Sequence, residues 1–211
     1  MASRYWLGTT STDHAVAANW AASSGGAPGA SVPGTGDDAT LDGNGNNACT
    51  LTANLALANL ITLAGYTAKL DLATFNLTMD DGGNITLDQG GEFDCGAGTL
   101  SMTNGTFDFE HVGTLTRGSA AWVFNQVCSI VSTASQNCPH TTVAAGGTLT
   151  LLASGGIFSA RGMTINGTLN IEAGRFVYAW GSSAVILNTG GQITGTGTFI
   201  LYIPLAGNGL T

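Results

Sequence analysis

The sequence predicts an all-β fold: a right-handed parallel β-helix, or solenoid, closed by an N-terminal cap. Three observations predict it. Short stretches alternate apolar with polar residues, glycine-rich turns separate them, and equivalent stretches recur every 22 to 24 residues. Composition agrees. Glycine makes up 32 of 211 residues and only 9% are charged, against about 25% in an average soluble domain. Thr, Asn and Gly are weak helix formers, so long helices are not expected. A hydrophobic share of 44% is too high for a disordered chain.

Residues 1–44 read as an irregular, weakly β-structured cap. They carry Tyr5, Trp6 and Trp20, large apolar groups that need a surface to cover, and the Ser-, Gly- and Pro-rich run 23–36. Residues 45–202 read as the solenoid body. Leu60-Ile61-Thr62-Leu63, Lys69-Leu70-Asp71-Leu72, Asn76-Leu77-Thr78-Met79 and Asn84-Ile85-Thr86-Leu87 open it. Thr99-Leu100-Ser101-Met102 and Thr106-Phe107-Asp108-Phe109 continue it. Period-2 alternation sends one set of side chains inward and the other outward. Turns such as Asp81-Gly82-Gly83, Gly90-Gly91 and Asn104-Gly105 punctuate the strands. The stretch 112–143 breaks the rhythm and reads as less regular coils with a longer loop. The pattern returns at Gly147-Thr148-Leu149-Thr150-Leu151, Gly167-Thr168-Leu169-Asn170-Ile171 and Gly197-Thr198-Phe199-Ile200-Leu201. Residues 203–211 form a C-terminal cap or tail.

The recurrence is the informative quantity. Ile61 precedes Ile85 by 24 residues, Leu72 precedes Cys95 by 23, Leu77 precedes Leu100 by 23, and Ile85 precedes Phe107 by 22. One coil of three short strands has this length, and each strand then pairs with its equivalent about 4.8 Å away. The competing fold is an antiparallel β-sandwich with hairpins at the Gly-Gly and Asn-Gly turns. The seven- to ten-residue steps leave no room for the longer connections of a Greek key.

Charge and end signals narrow the function. Five Lys plus Arg stand against thirteen Asp plus Glu, a net charge of −8. No basic cluster exists to hold phosphates or anionic lipid, so neither nucleic acid nor a membrane is an expected partner. The first ten residues lack an apolar signal region. The apolar stretches 55–63 and 120–131 fall short of the roughly 18 to 20 residues that span a bilayer. Cys49, Cys95, Cys128 and Cys138 show no zinc spacing and read first as buried thiols. The sharper alternative is a Cys128–Cys138 disulfide across the polar segment 129–137.

Candidate chemistry rests on carboxylates: Asp80-Asp81, Glu92 with Asp94, and Asp108 with Glu110-His111. Sugar hydrolysis needs two that face each other at roughly 5 to 9.5 Å. Solvated outer-face residues of a solenoid give the same pattern, and that is the expected role. Cationic groups for an acidic sugar are limited in the body to Lys69, Arg117, Arg161 and Arg175. His14, His111 and His140 are widely separated, and no nucleophile elbow or phosphate loop is present. The run Asp42-Gly43-Asn44-Gly45-Asn46-Asn47 fails the EF-hand template, with Asn47 where Gly is needed. A weak cation site at Asp37, Asp38 and Asp42 is the residual reading of that region. No cofactor and no catalytic residue is expected.

The order Arg4-Tyr5-Trp6-Leu7-Gly8, Ala18-Asn19-Trp20-Ala21, Ser24-Gly25-Gly26-Ala27, Gly29-Ala30-Ser31-Val32-Pro33 and Asp37-Asp38-Ala39-Thr40-Leu41-Asp42 resembles a segment of tailed-phage virion structural proteins with β-solenoid bodies. It covers residues 4–42. The resemblance implies a non-enzymatic virion component, made in the host cytoplasm and bound to the major capsid protein or another virion protein. The roles it suggests are capsid decoration, cement or head fibre. A homotrimer suits a three-fold point of a capsid lattice. Arg4, Tyr5, Trp6 and Trp20 are the candidate partner-binding residues, being types that anchor interfaces. The alternative is a glycan-binding adhesin or receptor module, with Trp122, Tyr178 and Trp180 as stacking platforms.

Overall fold

Alternation of the Lys69-Leu70-Asp71 kind turns every second side chain inward, and coil after coil these inward residues stack. A computed structural model describes residues 1–132, 136–152, 157–179 and 185–201. It shows a parallel β-solenoid with three faces. On the first, Ser3–Trp6 and Asp38–Leu41 lead to the second half of Leu55–Thr62 and of Leu77–Leu87. Gly105–Asp108, Val127–Val131, Thr148–Leu151, Thr168–Ile171 and Gln192–Gly195 follow in parallel. The second face stacks Cys49–Thr50, Lys69–Asp71, Glu92–Asp94 and Thr114–Thr116. Further along it stacks Gln136–Cys138, Ile157–Ala160, Phe176–Ala179 and Thr198–Leu201. The third stacks the first halves of Leu55–Thr62 and Leu77–Leu87 with Thr99–Met102, Ala121–Phe124, His140–Val143, Met163–Ile165 and Val185–Leu187.

The antiparallel sandwich is thereby replaced. Among the described residues the antiparallel pairing lies in the cap, where Tyr5 and Trp6 face Ala21 and Trp20 and an isolated bridge joins Ala21 to Pro28. The first rung, Asp38–Leu41, starts inside the segment expected to be cap, because Asp38-Ala39-Thr40-Leu41 already has strand alternation. The expected tail 203–211 lies outside the described residues.

Register follows the recurrence closely. Leu77 faces Leu100 and Ile85 faces Phe107, as the spacing predicts. Ile61 is displaced by one: it faces Thr86, and Leu60 faces Ile85. The spacing steps from 22 at Leu57/Met79 to 25 at Asn59/Asn84, because the turn 80–83 inserts three residues. Residues 112–143 do not break the ladder. Ala121–Phe124 and Val127–Val131 stay in parallel register, and one coil shortens to 19 residues between Trp122 and Thr141.

The core is a narrow column. Leu57, Met79, Met102, Phe124, Val143 and Ile165 are successive rungs of one buried row. In its middle Phe107, Phe109 and Trp122 meet with ring centroids 4.8 to 5.7 Å apart, a geometry that aromatic quadrupoles favour. Asparagines tie the corners. The Asn54 side-chain oxygen accepts the Asn76 N–H at 2.9 Å, and the Asn76 oxygen accepts the Thr99 N–H at 2.9 Å. The Asn59 and Asn84 oxygens likewise accept the N–H of Asn84 and Thr106. Each satisfies a backbone donor that a turn would leave unpaired.

Candidate functional site

The N-terminal cap holds the first set of expected site residues. Trp6 and Trp20 are 0% and 1% exposed and meet edge to face at 5.1 Å. Their indole N–H groups donate to the carbonyls of Asn47 at 2.9 Å and His14 at 2.7 Å. This corrects the expectation that they anchor a partner. Buried rings with satisfied donors offer nothing to an outside surface, and they close the end of the core instead. Arg4 and Tyr5 stay half-buried. The Arg4 guanidinium donates to the Ser31 hydroxyl at 2.8 Å and the Ser31 carbonyl at 3.0 Å, which fixes the strap 23–36 over the first strand.

The acidic residues of the second face serve the coil. Asp71 and Asp94 sit in register, and their Oδ1 atoms accept the N–H of Ala73 and Gly96 at 2.7 and 2.9 Å. These are Asx-turns at the coil corner. Lys69 bridges the pair, 2.7 Å from Asp94 and 3.3 Å from Asp71, and the Asp94 hydrogen bond raises its pKa. The Glu92 carboxylate accepts the Thr116 hydroxyl at 2.5 Å. Asp108 caps the Glu110 N–H at 3.0 Å, and Asp80 accepts the Gly36 N–H at 2.6 Å. The side chain of Asp81 lies outside the described residues.

The cation reading of the cap loop is also corrected. Asp37 accepts the N–H of Ala2 and Gly34, Asp38 accepts from Asn59, and Asp42 from Asn44. Among the described residues no three His, Cys, Asp or Glu side chains gather in a metal-binding group.

All four cysteines are free and buried. Cys128 and Cys138 stand on different faces, stacked on Leu149 and Ala160, so the expected bridge is not formed. The segment between them is part strand, which separates the two thiols. Trp122 is 0% exposed, so it cannot stack on a sugar. The side chain of Tyr178 and all of Trp180 lie outside the described residues.

One feature escaped the sequence reading. A cleft of about 200 Å³ opens at the corner between the second and third faces, lined by Arg117, Gly118, Ser119, Ala120, Pro139, His140 and Arg161. Its cause is the 19-residue coil. The corner 117–120 is long, the next corner is reduced to Pro139, and a notch remains between it and Arg161. The readable signal was the 44-residue separation of Arg117 and Arg161, two coils of 22.

Comparison of the chain with protein-family models, curated proteins and solved structures returns no match.

Proposed function

We propose that the chain is a non-enzymatic structural protein of a bacteriophage particle, a capsid decoration, cement or head-fibre protein that binds the major capsid protein. The observation that carries this reading is the commitment of the acidic and aromatic side chains to the stack itself. Asp71, Asp94 and Asp108 cap corners, and Trp6 and Trp20 seal the end of the core. A rod of this kind is stiff, because every coil is hydrogen-bonded to two others. It presents outward rows such as Thr99, Ser101, Thr148, Thr150, Thr168 and Asn170, with few charges to repel a protein lattice. The resemblance of residues 4–42 to a phage virion segment supplies the setting. A homotrimer in the virion is the assembly we propose.

Mass spectrometry of purified particles tests the reading. A copy number in the hundreds fits a decoration protein on a symmetric lattice, and tens fit a fibre. Absence of the chain from the particles overturns it.

A further inference from the structure

Cations are scarce in this chain: five Lys plus Arg against a net charge of −8. Two of the five, Arg117 and Arg161, line one cleft together with His140, and no Asp or Glu is among its lining residues. Random placement on an acidic surface does not favour such a gathering. Arg161 is exposed, and its guanidinium has no hydrogen-bond or ion-pair partner among the described residues. His140 is half-buried, with Nε2 3.1 Å from the Thr164 hydroxyl, which leaves Nδ1 for another partner. The Ser119 hydroxyl adds a polar group at the rim, and Pro139 with Ala120 forms an apolar floor. Behind that floor lies Arg175, wholly buried and donating to the Ser132 carbonyl. Its charge is weakly screened at such a site.

We propose that this cleft binds a small oxyanion-bearing ligand of single-ring size, a carboxylated, sulfated or phosphorylated sugar being the class that fits. Guanidinium groups recognise carboxylate, sulfate and phosphate through paired N–H donors. An apolar floor beside them takes the C–H face of a sugar ring, the usual mix of an apolar lining with a few polar groups. The volume of about 200 Å³ admits one ring and excludes an extended chain. The inference stands on the cleft alone and is independent of the virion reading.

The test uses the full chain, ¹⁵N-labelled, with galacturonate, galactose, inorganic sulfate and inorganic phosphate as probes at low salt. Galacturonate is expected to shift the amide signals of Ser119, Ala120, His140 and Arg161 saturably, and galactose is not. Galacturonate binding tighter than sulfate or phosphate assigns the ring to the floor. Equal binding of all three anions assigns the site to the oxyanion alone, within the proposal. Arg161→Gln is expected to weaken binding about tenfold, the loss of one charge-assisted contact. Arg161 is exposed, so the fold survives the change, and an unaltered circular dichroism melt checks it. Arg117→Gln is expected to act in the same direction. Two results overturn the proposal: no saturable shift with any anion at tens of millimolar, or equal affinity in Arg161→Gln.

Discussion

Ala73 and Gly96 occupy the same corner of adjacent coils, and both have left-handed backbone, with φ of 50° and 58°. Gly118, one coil further, repeats the geometry at 54°. Each corner is entered by a residue of one stacked row, Asp71, Asp94 and Thr116. The corners nest so closely that a Cβ on Gly96 would collide with the Ala73 carbonyl.

Gly96→Ala therefore combines left-handed strain with overpacking. Left-handed backbone costs an ordinary residue about 1–2 kcal/mol, and the forced backbone shift adds about 1–3 kcal/mol. The expected outcome is a thermal midpoint lower by roughly 5–15 °C for a chain of this size. Ala73→Gly relieves strain but frees the unfolded chain by a similar amount, about 0.5–1 kcal/mol, so it is expected to be close to neutral. Calorimetry of the two variants checks the pair. Equal effects would show that the corners do not nest.

Acid is expected to loosen the cap before it touches the carboxylates. His14 is 2% exposed, and its Nδ1 accepts the Thr52 N–H at 3.1 Å. Burial holds its pKa below the usual 6.5, against the opposing pull of the Asp13 charge 3.9 Å away. A lowered pKa in the folded state means that the unfolded chain takes the proton first. Stability then falls as pH drops below 6.5. Burial also lowers the pKa of His140, which contributes with the same sign. Asp13, with its carboxylate held by the Thr52 hydroxyl, and Asp37, held by the Ala2 N–H, keep their contribution until pH falls below 3.8. Thermal midpoints at pH 7.5 and pH 5 should differ, and His14→Gln should reduce the difference. An unchanged difference would remove His14 from the account.

The strand periods made the architecture legible, because an inward row such as Leu77 and Leu100 repeats at constant spacing. What lay between the strands was less so. Corner lengths carry no period, so the three-residue insertion at 80–83 shifted Ile61 by one rung and the shortened corner at Pro139 hid the cleft. The aromatic residues of the cap were ambiguous for a different reason. An indole that seals a core and one that anchors a partner are the same residue type, and only burial separates Trp6 and Trp20 from an interface.

The thiols are expected to be inert in the folded protein. Burial pushes Cys95 up to about 12 and Cys128 up to about 11, and Cys49 and Cys138 are raised further by burial. The thiolate is the reactive form, so a thiol reagent at pH 8 should label none of the four in the native state. Denaturation without reductant should then release all four. Release of only two would establish a disulfide and overturn the free-thiol assignment.

Deleting residues 1–22 separates sealing from anchoring at the N-terminal end. The deletion removes Ser3–Trp6, which pairs in parallel with Asp38–Leu41, and both indoles that cover the core. Ala39, Leu41, Cys49 and Leu51 lose their cover, and the Asp38–Leu41 strand becomes an unpaired edge. Open edges with apolar inner rows template association, and loss of one buried Trp alone costs about 3–5 kcal/mol. The truncated chain is therefore expected to aggregate rather than remain a folded protein that merely fails to bind. Size-exclusion chromatography and circular dichroism check this. The half-buried pair at the surface of the same strand gives the cleaner probe of attachment. Arg4→Ala cuts only the contacts to Ser31 and the Ser3 carbonyl, and Tyr5→Ser leaves both indoles in place. Both variants are expected to stay folded. If either one, folded, no longer binds particles that the unaltered chain decorates, the outer side of this strand is the attachment surface. A truncated chain that folds as a soluble monomer would show that the indoles do not seal the core.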